Sequence, residues 1–524
     1  MRKFIYGILT LAVTLSLVFA GTAFADPGDP IGPGSGNPAS GASMQSGILG
    51  SNTAYNGSTS YEQGRVVVDE ILGVTPDLHV QFKTGDGNLT NGFTTTMDWF
   101  DSPLDGFSGL QARLEYTIGD VYYRVRTEEH GWTRWAMNSM DTDWFNDAAK
   151  VTAVQIRTKG HVRNLYDVYY RVKLNDGTVL DWAHDGQTAG TIGTGLYIQS
   201  MQVKFWKHDL NFYEPTANHL KAAAYEGIVF NGDGTVGYST ADGSAYTGWA
   251  YDTYNNKYYF VDSAAVKDWQ YIDGYKYYFD ESYKVVTDLE PVIGLTGDYI
   301  MKVNKTMKTM TIYTSDGANG YIIPYKVFLC TIGSATPIGE FKTYEPHRWK
   351  FMHDNIYVQY LLRYKEKGFC IHSIIYYPEA GSYHLRANSY NELGKNQSDG
   401  CIRLKTDDCL WVYTNFGVGR KVVIYENEWV MGPFDRPCIE QAIPITQNWD
   451  PTDPVVQADI ANMTGPFTDG VKTVAYKDEY LNLLSRYPAD MSNEVIGDIL
   501  AAEGGAAQAE TAAQETVAET TAAE

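Results

Sequence analysis

The chain has 524 residues, with 41 Lys and Arg against 63 Asp and Glu, for a formal charge of −22. That balance excludes a nucleic-acid binder, because counterion release needs clustered cations. Five cysteines in so long a chain exclude a disulfide scaffold. The 40 Tyr against 20 Phe and 12 Trp favour strands and wet faces that stack on ligands.

Residues 1–25 read as a signal peptide: Arg2 and Lys3 open it, an apolar run follows to Ala20, and Ala23-Phe24-Ala25 is a small-x-small cleavage site. No basic stop-transfer cluster follows, and no later run reaches the roughly 18 apolar residues of a membrane span. The mature protein is therefore expected to be secreted, with no transmembrane anchor, and to carry 39 basic and 63 acidic side chains, −24. No C-terminal sorting signal is visible, so surface attachment is expected to be non-covalent. Residues 26–60, rich in Pro, Gly, Ser and Asn, read as a flexible linker, and 501–524, rich in Ala, Glu and Thr, as a disordered tail.

Residues 61–215 form a β repeat region with a period of 47. Val121-Tyr122-Tyr123-Arg124-Val125 recurs unchanged at Val168 to Val172, Trp135 maps to Trp182, and Val154 to Arg157 maps to Met201 to Lys204. A degenerate earlier copy ends at Leu110-Gln111-Ala112-Arg113. The period-two alternation within each copy predicts strands with one buried face. The stretch Asp181 to Gly193 resembles the clostridial hydrophobic repeat, with its Trp, Asp-Gly turn and Gly-Thr pair; the first copy departs from it at Ala136-Met137-Asn138. The plainer reading makes Trp135 and Trp182 core residues.

Residues 225–290 repeat differently, with a period near 20. Trp249 with Tyr258-Tyr259-Phe260 is followed by Trp269 with Tyr277-Tyr278-Phe279, and Asp273-Gly274 signals a tight hairpin. The pattern resembles the choline- and glucan-binding repeats of Gram-positive surface proteins. That resemblance implies wall binding, with Trp249, Tyr259, Trp269 and Tyr278 as candidates to hold a wall glycan or a choline-like ligand. Alternatively, these aromatics only pack the hairpins together.

Residues 297–430 change texture. Tyr299 to Asn304 and Thr309 to Tyr313 read as paired strands, Tyr325 to Cys330 and Lys421 to Tyr425 as further strands, and one helix runs from Thr406 as N-cap to about Gly417. Just before it lies Ser398-Asp399-Gly400-Cys401-Ile402-Arg403-Leu404. Backbone N–H groups around a thiol in such a loop lower its pKa and bind a developing oxyanion. A Cys nucleophile needs a base. His372, in Phe369-Cys370-Ile371-His372-Ser373, ends an apolar strand, and His384 lies in a polar loop.

With Thr336-Pro337-Ile338-Gly339-Glu340-Phe341 and Asn355 to Tyr360 upstream, these motifs occur in the order found in the L,D-transpeptidase catalytic domain family (YkuD-like), which the segment resembles. The resemblance implies a β-sandwich-like catalytic domain with one short helix after the Cys loop, within a mainly β, multidomain chain. It implies Cys401 as nucleophile, His372 as base and Ser373 as its orienter. Gly400 and Cys401 would supply oxyanion N–H groups, with Tyr357 alongside. Ser398 and Arg403 are substrate-binding candidates; for Arg403, a carboxylate contact and an internal salt bridge stay equally open.

Two departures stand out. Asp399 replaces the motif's second histidine, and its carboxylate is expected to raise the thiol pKa. The spacing from His372 is long, so Tyr376 to Leu393 reads as an inserted lid-like loop, and His384 is the alternative base. Cys330, Cys370, Cys409 and Cys438 read as buried or incidental. The resemblance implies an exported, wall-associated enzyme of Gram-positive type that acts on peptidoglycan stem peptides without cofactor or metal. Its product would be 3→3 cross-links; the alternatives are an L,D-carboxypeptidase and a catalytically silent wall-binding protein. In 431–500, Trp449 to Pro454 resembles a closing element of the family, and the remainder of this C-terminal extension suggests two short helices.

Overall fold

The computed structural model describes residues 76–462, apart from 93, 96–98, 102–104, 116, 144–148, 209–216, 353–355, 367, 378–380, 427–431 and 444–446. The signal peptide, the linker, the acidic tail and the extension beyond 462 lie outside the described residues. The chain is a multidomain, mainly β protein built from several sheets.

The period of 47 is a structural period. Asp120–Thr127 pairs antiparallel with Val151–Lys159, and one repeat later Tyr166–Leu174 pairs antiparallel with Ile198–Lys207. Arg124 donates to Gln155 at 2.6 Å and Arg171 to Gln202 at 2.8 Å. Their guanidinium groups lie 4.9 and 4.5 Å from the ring centres of Trp135 and Trp182, within cation–π range. The buried Tyr123 and Tyr170 hydroxyls each donate to a carbonyl 17 residues on, at Met140 and Gln187. The degenerate copy is the strand Gly109–Glu115, which pairs with Asp77–Lys83 and shares the same apolar core.

Two hairpins follow, Gly248–Tyr251 with Lys257–Val261 and Asp268–Ile272 with Tyr275–Phe279. Asp273 and Gly274 both have positive φ, 50° and 81°, as a two-residue hairpin loop of this twist requires.

The segment from 299 to 425 is two facing sheets. One has the strand order Ile323–Leu329, Thr309–Thr314, Tyr299–Asn304, Lys421–Tyr425, Gly339–Lys342. The other runs Glu345–Met352, Ile356–Lys365, Phe369–Ser373, Ile402–Leu404. Met301, Val303, Met310 and Ile312 from the first meet Leu362, Ile371, Ile402 and Leu404 from the second in one core, an arrangement of sandwich type. The helix Thr406–Trp411 continues as a π-type turn, Val412–Phe416.

Two expectations need correction here. Thr406 is not the cap: it is the first helical residue, and its hydroxyl is engaged by Tyr376. Its N–H is capped instead by Asp450, at 2.8 Å, from the Trp449 to Pro454 element. Burial pushes the Asp450 carboxyl up to about 6, although it accepts from both Thr406 and Thr452. The described residues of the stretch Tyr376 to Leu393 are packed rather than an open loop. They hold a short helix, Ala387–Asn391, and bury Tyr376, Leu385, Tyr390 and Leu393 against Ile439 and Ile443. Apolar side chains at these positions make a packed layer cheaper than an open loop.

A strap at 434–443 ties the modules together. Arg436 pairs with Asp120 of the repeat region in a buried, two-toothed salt bridge and donates to Gly394 at 2.6 Å. Asp435 accepts Lys257 at 2.9 Å and Tyr251 at 2.7 Å, from the hairpin module. Removing one member of a buried pair strands the other charge. Asp120→Ala is therefore expected to lower stability by about 3–5 kcal/mol, read from the urea midpoint of the first unfolding transition. Asp120→Leu combined with Arg436→Met removes both charges and should recover most of that loss.

Candidate active site

The second sheet positions the site through one parallel pairing. Ile371 lies opposite Ile402, and His372 opposite Arg403. Both isoleucines enter the core. Side chains alternate along a strand, so Cys370 and His372 project to the other face. Cys401, one residue before Ile402, is brought to that face beside them. The Cys401 thiol is partly exposed, whereas Cys370 and His372 are buried.

The His372 ring is anchored at one nitrogen. Its Nδ1 donates to the Ser373 carbonyl at 2.6 Å, which anchors the ring and leaves Nε2 as its other nitrogen. The neighbouring Cys370 thiol and His372 ring hold the Cys401 pKa well below the ordinary thiol range against the opposing effect of burial. His372 is thus the imidazole at the thiol. The backbone of His384 is bonded elsewhere, to Gly381 and Tyr377.

The cysteine loop is held by groups from three directions. Ser398 Oγ donates to the Cys401 carbonyl at 2.6 Å and accepts the Gly400 N–H at 3.2 Å. Thr336 and Tyr364 both donate to the Gly400 carbonyl, at 3.0 and 3.2 Å. Gly400 has φ of 130°, and a Cβ there would sit 2.6 Å from the Phe369 ring, so only glycine fits.

Several expected roles change. Ser398 braces the loop. The Gly400 N–H is engaged by Ser398 rather than aimed at an oxyanion. Ser373 orients His372 through its carbonyl, because its hydroxyl accepts from Gln359 and donates to Ile374, both at 2.8 Å. Tyr357 packs on Phe351 and bridges to Tyr376, in a different cluster from the one holding Cys401. Arg403 lies in register with His372, its backbone doubly bonded to Thr331. Asp399 is exposed, and the thiol pKa is lowered rather than raised.

Cys370 is the residue that sequence reasoning missed. It reads as buried or incidental in the sequence and is buried, yet it sits two positions before His372 on a strand, which places both on one face.

The four aromatic candidates of the hairpins pack internally. Trp249 stacks on Phe279 at 5.9 Å and meets Tyr277 at 5.2 Å, with the Lys257 ammonium 4.4 Å above its ring, and Tyr259 packs beside it. Trp269 and Tyr278 pack against the core of the two-sheet segment.

The family model for the YkuD, L,D-transpeptidase catalytic domain matches residues 298–424. Similar solved structures include an L,D-transpeptidase from Mycobacterium smegmatis, 20% identical, with a TM-score of 0.20, covering 24% of this chain and 58% of that one. L,D-transpeptidase 1 of Mycobacterium tuberculosis is 19% identical, with a TM-score of 0.19, covering 25% and 62%. An L,D-transpeptidase of Xylanimonas cellulosilytica is 13% identical, with a TM-score of 0.18, covering 24% and 60%. The matched stretch thus spans about three-fifths of those proteins. No curated protein matches the sequence significantly. The two-sheet segment is a cysteine- and histidine-bearing β domain, and residues 298–424 carry an L,D-transpeptidase catalytic domain.

A depressed thiol pKa has a pH signature. Free thiols near pKa 8.5 lose alkylation rate below that pH, so Cys401 should keep its rate between about pH 6 and 8. His372→Ala should move the rise in iodoacetamide labelling of Cys401 back toward alkaline pH. The check is residue-resolved mass spectrometry of the labelled protein.

Proposed function

We propose that the chain is an exported peptidoglycan L,D-transpeptidase that works through a Cys401 thioester and forms 3→3 cross-links. The observation that carries this reading is the half-buried Cys401, whose pKa is held down by Cys370 and by a histidine whose Nδ1 is fixed by a carbonyl.

The chemistry follows from those roles. The Cys401 thiolate attacks the carbonyl between residues three and four of a tetrapeptide stem, and the carbonyl electrons move to oxygen. When the tetrahedral adduct collapses, the C–N bond breaks and the protonated His372 gives its proton to the departing amine. A thioester remains. His372 Nε2 then takes a proton from the side-chain amine of a neighbouring stem as that amine attacks, and Cys401 leaves as thiolate. Ser398, Thr336, Tyr364 and Gly400 keep the loop in the geometry this requires. Arg403, in register with His372, is the candidate to meet a stem carboxylate. Among the described residues no helix is long and apolar enough to cross a membrane, and the N-terminal signal peptide read from the sequence supports export.

The test is intact mass after exposure of the mature protein to a carbapenem. One covalent adduct is expected on the wild type, none on Cys401→Ala, slow formation on His372→Ala and an unchanged rate on His384→Ala. With a tetrapeptide donor and a diaminopimelate-bearing acceptor, cross-linked product is expected in excess of the hydrolysed tripeptide. A tripeptide-only product would make the protein an L,D-carboxypeptidase, and absence of any adduct would leave it a silent wall-binding protein.

A further inference from the structure

Five cysteines are free, and four of them have no place in the acyl-transfer chemistry. Three are accounted for by packing or by other partners. Cys330 lies in the core, Cys409 donates to the carbonyls of Gln359 and Tyr360, and Cys438 donates to Asp120 at 3.0 Å. Cys370 is different, because it touches the nucleophile.

The two sulfurs converge on one carbonyl: Cys370 Sγ is 3.2 Å and Cys401 Sγ 3.4 Å from Gly368 O. They pack in the same small cluster with Leu361 and Val358. Their backbones are neighbours too. Ile371 and Ile402 are paired in parallel register, so Cys370 and Cys401 are the next positions back on the same face. Adjacent strands run about 4.8 Å apart, inside the roughly 4.4–6.8 Å window of Cα separations that a disulfide accepts. That spacing brings the two sulfurs within reach of one another.

We propose that Cys370 is a resolving thiol and that Cys370 and Cys401 form a reversible disulfide under peroxide, switching the site off. The proposal rests on Cys401 being the nucleophile. Exposure and charge set the order of events. Peroxide reaches the partly exposed Cys401 first, while Cys370 is fully buried and lies beneath Arg363, 3.9 Å away. The Cys401 thiolate takes an oxygen from hydrogen peroxide, giving a sulfenic acid, and one proton from solvent carries the second oxygen off as water. Cys370 then attacks that sulfur, the S–S bond forms, and the hydroxyl leaves with the Cys370 proton as a second water. Two thiols are oxidised by two electrons, and one peroxide is reduced to two waters. A dithiol reverses the step by exchange. The disulfide spares Cys401 from the irreversible sulfinic and sulfonic acids.

The test uses the reduced full-length mature protein, treated with hydrogen peroxide and read by intact mass, by alkylation of the remaining thiols and by carbapenem uptake. The oxidised wild type is expected to lose two hydrogens, to lose alkylation at Cys370 and Cys401 alone, and to stop taking carbapenem. Dithiothreitol should restore all three. Cys370→Ser, whatever its basal rate, should instead gain oxygens at Cys401 that dithiothreitol does not remove. Oxygen addition to the wild type with Cys370 still alkylated would overturn the proposal. A reduced wild type that takes no carbapenem, yet loses two hydrogens with peptides of Cys370 and Cys401 cross-linked, would overturn the transpeptidase reading and support the disulfide.

Discussion

The site depends on one parallel pairing between two short strands, Phe369–Ser373 and Ile402–Leu404. Its register is set by hydrophobicity, because Ile371 and Ile402 must both enter the core between the sheets. Once they do, His372 and Cys370 have no choice of face, and Cys401 arrives beside them from the neighbouring chain segment. A slip of one residue would turn His372 into the sandwich and the isoleucines outward. The apolar residues of these strands therefore act on the chemistry as directly as the polar ones, through where they force the others to point.

The elements around that pairing hold it from outside. Asp450 caps the helix that follows the cysteine strand, while Asp453 accepts Gln359 at 2.7 Å, and Gln359 in turn donates to Ser373 beside the base. The Trp449 to Pro454 element thus braces the helix after the Cys401 strand and, through Gln359, the strand of His372. The Thr336 loop clamps Gly400 from the opposite side. Buried carboxylates are tolerated there because each meets backbone or side-chain donors.

The modules before the catalytic segment are coupled to it by buried charge and by aromatic surface. Arg436 and Asp120 join the strap to the repeat region, and Asp435 joins it to the hairpins. Trp269 and Tyr278 complete the packing of the catalytic core. The aromatic excess of the composition is spent largely on such internal contacts. The same ring faces that suit a sugar also suit a neighbouring guanidinium or ammonium, as the paired Arg124–Trp135 and Arg171–Trp182 contacts illustrate.

Local patterns carried much of this information in the sequence alone. Period-two alternation marked the strands of the 47-residue repeat, whose Val-Tyr-Tyr-Arg-Val core recurs letter for letter, and Asp273-Gly274 marked its hairpin, because each is a property of contiguous residues. The Cys401 loop and the His372 strand were legible for the same reason. Tertiary structure decided what contiguous residues cannot express. It placed Cys370 against Cys401, separated by 30 intervening residues. It gave the cap of Thr406 to an aspartate 44 residues on, assigned Ser398 to bracing the loop and packed the stretch after Ser373 into a layer. Those outcomes follow from which surfaces meet when the two sheets close on their core, and a pairing across that distance leaves no periodic trace in the chain.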